Sequence, residues 1–495
     1  MKTFEQFACK DEEFKRPVEL ANEKTSMSSP FARDKDVILY SNCFRRLAHK
    51  TQVYLTGRTT PELNEHSRTR LTHTLEVVSI SKAITKSLGL NVDLAEAIAF
   101  GHDVGHAPFG HAGENQLSSF LNGKIPLPRI IRERFITRKL QKAENRGARD
   151  VGDFRHNYQG VRQLYFLFGY SPHYTGLNLT YQTLEGILKH TGLKSRTSTR
   201  LECKYPKDDN NDDVFDCLIR NTKVSSTVES VVVALADEIA QICHDLSDAV
   251  ELEQLPLDEF YNLLPVQRAV DFCNNIKGKQ IAYSKTHSST INNAQISSAL
   301  VEYFITNTHQ AISAILEKAN DSENRNDIVR RLPVKPQPEN DFTELNKFKD
   351  MLVINNYNMN RMDNKGAYII RRLTDAYLSD PRQLPDEVLK NYTNIKIKEY
   401  HKKGADGFLA WFAERAAVCG ILPEFQITQE EQENLIKMIT SDTHGNNFRK
   451  VKSELINSSV SYLALDGDYL RVIADYIATM TDVYAMKEVA ELYSY

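Results

Sequence analysis

The amino-acid sequence predicts an all-α protein, and three observations carry that expectation. Apolar residues recur at helical spacing in one segment after another, strand-like alternation is scarce and short, and the densest group of chemically active residues closes one of those helical segments. Leu75 to Leu90 keeps its apolar residues on a helical period and ends around Gly89. Asp93 to His106 opens on an aspartate able to cap the first turn and runs through Leu94, Ala97, Ile98 and Phe100. Val231 to Val250, Ser297 to Lys318, Phe408 to Cys419 and Tyr469 to Tyr493 read the same way. Three stretches interrupt the helices and are expected to be loops or inserts: basic Lys124 to Arg149, acidic Lys207 to Asp213, and Pro-containing Asp321 to Asn340. No internal repeat or low-complexity tail is present.

Composition bounds the function. A chain of 495 residues with 41% hydrophobic content can bury a large core, and its length allows roughly two to four domains. A net charge of -3 and a pI near 6.6 give no global bias toward nucleic acid or membrane, so any polyanion site must be local. No apolar run is long enough to span a bilayer, and no N-terminal segment joins a basic start, an apolar core and a small-residue cleavage site. The seven cysteines are scattered and lack CxxC pairing, as expected of reduced thiols in a cytoplasmic protein.

The richest stretch is Gly101 to Glu114, GHDVGHAPFGHAGE, which holds three histidines and two carboxylates. A His102-Asp103 doublet can hold a metal ion while other histidines handle protons. Residues four apart share a helix face, so His102 and His106 are expected to point into one cavity. Pro108 and Gly110 should then break the helix and turn the chain so that His111 and Glu114 approach the same place. A histidine titrates near neutrality and a carboxylate one helical turn away can orient it, which makes His111 and Glu114 the candidate proton handlers. Farther on, Asp237, Gln241 and Asp245 fall at i, i+4 and i+8 on one helix face.

Several segments, in order, resemble a known family. RLTHTLE from Arg70 to Glu76, then His102-Asp103, then LADEIA from Leu235 to Ala240 resembles the H…HD…D signature of the HD superfamily. HAPFGHAGE at His106 to Glu114, FRHN at Phe154 to Asn157, FRRLAHKTQV at Phe44 to Val53 and MTDVYA at Met480 to Ala485 resemble its deoxyguanosinetriphosphate triphosphohydrolase branch. The resemblance implies a helical HD phosphohydrolase core at about residues 60–250, within a catalytic region 1–300. Residues 301–495 are then a helical region that completes the pocket and the oligomer contacts.

The resemblance also implies roles. His73, His102, Asp103 and Asp237 would be the metal ligands, a mixed nitrogen and oxygen set suited to Mn²⁺ or Mg²⁺, with Fe²⁺ or Co²⁺ as further candidates. His106 would touch the phosphates, and His156 would lie near the active site. Arg70 would clamp triphosphate oxygens through its planar fork of donors. Gln52 and Val53 would contact the sugar and exclude a 2′-hydroxyl, and Asp245 would accept from the 3′-hydroxyl. Gln241 departs from the tyrosine often found at its position. Water would attack the α-phosphorus of a deoxynucleoside triphosphate, most favourably dGTP, and release the deoxynucleoside and tripolyphosphate. Rival readings are a broad, nucleotide-activated dNTP hydrolase and another HD-type nucleotide phosphohydrolase. A homo-oligomer, tetramer or hexamer, is implied. The basic segment from Lys124 to Arg149 is a candidate contact for single-stranded nucleic acid or an effector nucleotide.

Overall fold

Local signals in the sequence decide where each helix starts and stops. The computed structural model describes residues 3–19, 29–52, 68–126, 128, 152–169, 174, 176–191, 214–219, 225–251, 255–277, 289–320, 323–351, 357–389, 391–392, 395 and 467–493. Among them the helices of the first half are α1 Pro30–Leu39, α2 Asn42–Arg46, α3 Arg70–Leu88, α4 Val92–Gly101, α5 Gly110–Leu121, α6 His156–Arg162, α7 Tyr181–Lys189, α8 Val214–Ile219 and α9 Val228–Glu251. The second half gives α10 Leu257–Asn262, α11 Leu264–Lys277, α12 Ser289–Leu316, α13 Arg325–Arg331, α14 Glu339–Lys349, α15 Tyr357–Ser379, α16 Gly467–Ala478 and α17 Asp482–Tyr493. The fold is all-α; an isolated bridge between Thr51 and Thr69 is the only strand-type pairing among the described residues.

The chain divides into two compact units. The first joins Met1–Gly110, His156–Leu201 and Leu218–Lys365; the second joins His111–Arg155, Glu202–Cys217 and Gly366–Tyr495. In the first unit α4 and α9 are central. α3 and α9 pack on α4, α1 and α7 cover its other sides, and α12 and α14 lie against α9. The core is built from Val77, Ile80 and Ile84 of α3, Leu94 and Ile98 of α4 and Val232, Leu235, Ile239 and Leu246 of α9, all buried. In the second unit α15, α16 and α17 hold one another through tyrosines. The Tyr469 hydroxyl donates to the Tyr377 carbonyl at 2.8 Å, and Tyr493 donates to that of Arg372 at 2.9 Å.

Helix ends depart from the sequence expectation in four places. α4 is capped by Asn91, whose side chain accepts from the Leu94 amide at 3.1 Å, and Asp93 lies inside the first turn. α4 also stops at Gly101 and does not reach His106; at that end the His102 ring donates to the carbonyl of Ala99. Tyr469 to Tyr493 is two helices, broken after Ala478 where the Thr481 hydroxyl accepts from the Tyr484 amide and starts α17. The polar stretch Asp321 to Asn340 contains α13, started by the Asn324 side chain accepting from the Asn326 amide, and the beginning of α14. Phe408 to Cys419, Lys207 to Asp213 and most of the basic stretch, from Arg129 to Arg149, lie outside the described residues.

Candidate metal centre

The site assembles inside the first unit, where the start of α3, the end of α4 and the middle of α9 meet. The Thr69 side chain caps α3 by accepting from the Thr72 amide, and residues 50–52 run antiparallel beside 68–70 through the Thr51 to Thr69 bridge. That pairing fixes Lys50, Gln52 and Arg70 along one edge: the Arg70 amide donates to the Lys50 carbonyl at 2.9 Å, and Gln52 to that of Arg68 at 3.3 Å. The buried Lys50 ammonium in turn donates to the His106 carbonyl. Val53 lies outside the described residues.

Beyond α4 the chain turns tightly through His102 to Gly105. Gly105 makes the turn possible, since a Cβ there would lie 2.0 Å from the His156 carbonyl oxygen and 2.1 Å from the Gly160 nitrogen. The close approach stacks the His106 ring on that of His156, with centroids 3.8 Å apart and planes 11° from parallel. Phe109 and Gly110 then both take positive φ, 64° and 58°, and end the turn. His106 therefore reaches the site from a turn, and not from the helix face that the four-residue spacing implied.

His73, His102 and Asp237 converge. His73 Nε2 lies 3.0 Å from Asp237 Oδ1 and 3.4 Å from His102 Nε2, and His102 Nε2 lies 3.7 Å from Asp237 Oδ1. An ion about 2.1 Å from each ligand holds neighbouring octahedral donors about 3.0 Å apart and opposite ones about 4.2 Å apart, so these spacings suit a single shared cation. The His102 tautomer is fixed, because Nδ1 must donate to the Ala99 carbonyl at 2.7 Å, leaving the Nε2 lone pair directed inward. Asp103 lies beside this set, 3.7 Å from His102 Nε2 and 3.9 Å from His73 Nε2. Its two oxygens engage Arg70 at 2.9 Å and His106 at 3.1 Å.

The charges favour a cation. Burial would raise Asp103 and Asp237, but Arg70 and the surrounding histidines hold the first well below the usual carboxylate range, and a hydrogen bond with His73 holds the second below it. Burial lowers His73 and His106, so both are neutral near pH 7. Arg70 balances Asp103, and Asp237 carries its charge beside the His73 and His102 nitrogens. A bound divalent ion would offset the cost of partly withdrawing that carboxylate from water. The donor set, its spacing and its charge all fit the ion.

Two histidines without a sequence motif also belong here. His244, on α9, stands with Nδ1 3.2 Å from Glu76 Oε2 and Nε2 3.3 Å from Asp245 Oδ1, its ring edge-on to His73. Burial lowers it, but the two carboxylates win and push it up to about 9. Lys349 of α14 approaches Asp245 Oδ2 at 3.6 Å, so the predicted sugar acceptor is held ionised between two cations. Gln241 is half-buried on the same helix. His190 follows α7 and lies in T-shaped contact with His102. The seven-residue spacing from Asp237 to His244 was the available signal for one; a histidine closing the amphipathic α7 was the signal for the other.

His111 and Glu114 belong to the second unit. They occupy the first turn of α5 with Nδ1 and Oε2 3.5 Å apart, the histidine side chain 70% exposed and the glutamate 13%. The expected pairing within one helical turn is present.

Comparison with known proteins identifies the family. The HD domain model matches residues 70–242, and that of the phosphohydrolase-associated domain matches 332–403 and 423–491. A deoxyguanosinetriphosphate triphosphohydrolase-like protein of Bartonella henselae is 30% identical over 423 residues, 83% of this chain and 92% of the relative. The chain belongs to the deoxyguanosinetriphosphate triphosphohydrolase-like family of HD-domain proteins. Relatives of the same description from Caulobacter sp. K31 and Rhodopseudomonas palustris are 30% identical over 364 residues and 38% over 259, covering 72% and 51% of this chain and 81% and 55% of the relatives. The HD domain match begins at Arg70 and spans His73, His102, Asp103 and Asp237.

Proposed function

We propose that this chain is a metal-dependent deoxynucleoside triphosphate triphosphohydrolase that converts dGTP and water to deoxyguanosine and tripolyphosphate. The observation that carries the reading is the convergence of buried His73 and His102 with half-buried Asp237, with the Asp103 and Arg70 pair beside it, in a member of this family. His73, His102, Asp103 and Asp237 hold the ion, Mn²⁺ or Mg²⁺ by donor type. When bound, the ion neutralises phosphate charge and makes water more acidic.

The protein's own groups do the rest. Arg70 is held by Asp103 through Nη1 and donates from its remaining nitrogens to the triphosphate. His106 fixes Asp103 and contacts the phosphates, with His156 stacked on it. Water attacks the α-phosphorus, the bond to the 5′-oxygen breaks, and that oxygen takes a proton from His111, which Glu114 orients; the proton given up by the water replaces the one His111 donates. Asp245 accepts from the 3′-hydroxyl, Gln241 lies along the sugar, and Gln52 with Val53 leaves no room for a 2′-hydroxyl.

The enzyme is further read as a cytoplasmic homo-oligomer, tetrameric or hexameric, with the basic segment from Lys124 to Arg149 available to an effector nucleotide or single-stranded nucleic acid. Ion-exchange separation of products tests the reaction, with each dNTP and GTP supplied singly and in pairs. Tripolyphosphate and deoxyguanosine from dGTP alone are expected. Turnover only in mixtures would indicate the broad, activated alternative, and no tripolyphosphate from any dNTP would sink the reading in favour of another HD-type nucleotide phosphohydrolase.

A further inference from the structure

α7 ends as α4 does. His102 follows α4 and gives Nδ1 to the Ala99 carbonyl, three residues back; His190 follows α7 and gives Nδ1 to the Ile187 carbonyl, three residues back, at 2.6 Å. A carbonyl can only accept, so the proton of the neutral ring is on Nδ1 and the His190 lone pair is on Nε2. Placement of the ring is fixed on both sides. Asn157 of α6 donates to the neighbouring Leu188 carbonyl at 2.6 Å, and Gly186 lets α7 close on Ile98 of α4.

The ring has its centre 5.3 Å from that of His102 and 5.4 Å from that of His156. His190 and Asp237 each lie within reach of the other's electrostatic field. Among the described residues none donates to or accepts from His190 Nε2, although the residue is 4% exposed. That nitrogen can accept a hydrogen bond from a water. It lies beside the three converging donors without being one of them.

We infer that His190 is a further catalytic residue whose Nε2 accepts a hydrogen bond from the attacking water and holds that water in line with the phosphorus. The inference rests on the cation reading of the neighbouring donors. A purely structural His190 would cap α7 through Nδ1 and have no use for Nε2. Two amide substitutions separate the two roles: the shorter side chain of His190→Asn keeps a donor near the Ile187 carbonyl, while the longer one of His190→Gln reaches the Nε2 position.

The test uses the full chain, carrying His190→Asn or His190→Gln, loaded with Mn²⁺. Expected for His190→Asn are wild-type Mn²⁺ stoichiometry and KM for dGTP, a kcat about 10- to 100-fold lower, and altered relaxation of solvent protons by the bound Mn²⁺. His190→Gln should recover part of kcat. A His190→Asn kcat within about twofold of wild type, or a loss of Mn²⁺ that accounts for the lost turnover, overturns the inference. Should the wild-type chain bind Mn²⁺ yet hydrolyse no dNTP, the nucleotide reading fails by itself; proton relaxation needs no substrate, and its being unchanged in His190→Asn overturns this inference.

Discussion

His244 is a buried imidazole that the fold holds charged, between Glu76 and Asp245. Its folded pKa of about 9 exceeds the usual value near 6.5, so its contribution to stability is complete below about pH 6.5 and is lost as pH rises through 9. The full difference corresponds to on the order of 3 kcal/mol. Urea unfolding of the metal-free protein should give stability that falls between pH 6.5 and 9, and His244→Gln should flatten the slope; an equal slope in both proteins would contradict this account of His244. For His111→Ala we expect bound metal to be retained and turnover to fall about 10²- to 10⁴-fold, with near-normal turnover removing His111 from the mechanism. Residues inside a spaced motif, such as His73, His102 and Asp237, could be read from the sequence because their order carries information. His190 and His244 lie outside any such motif, and the weak signals of spacing along α9 and of the end of α7 gain meaning only when a helix end or a facing carboxylate is in place.

At the scale of elements, the turn after α4 is the sensitive feature. A Cβ on Gly105 would meet the backbone of His156 and Gly160, which cannot rotate away as a side chain would. Gly105→Ala is therefore expected to destabilise the protein by about 1–3 kcal/mol and to weaken Mn²⁺ binding, read by urea midpoint and metal titration. Wild-type values for both would show that the turn tolerates displacement. Helical periodicity identified α3, α4, α9 and α12, while their ends were harder to assign. Asn91 and Asp93 are both good caps two residues apart, and periodicity does not choose between them. At the end of α4 a ring nitrogen reaches the Ala99 carbonyl, a bond that hydropathy does not encode.

On the scale of the whole molecule, the first unit brings together donors separated by more than 160 residues of chain, from His73 to Asp237. No described helix is long and apolar enough to cross a membrane. Periodicity foretold the helical class and motif order foretold the family; which segments make up each of the two compact units depends on contacts far apart in sequence. An ion that binds only the folded chain must stabilise it, by about 2.7 kcal/mol at a hundredfold excess over Kd. The thermal midpoint should accordingly rise with Mn²⁺ in the wild-type protein and stay flat in Asp237→Ala. An equal rise in both would place the stabilising ion elsewhere.

The central claim is that His73, His102, Asp103 and Asp237 hold the ion on which hydrolysis depends. Its most direct test is a Mn²⁺ titration of the chelator-stripped chain, followed in the same samples by metal content and by tripolyphosphate release from dGTP. Wild-type protein should regain metal and turnover together, while His73→Ala and Asp237→Ala should lose both. Intact metal content in those two variants would contradict the assignment.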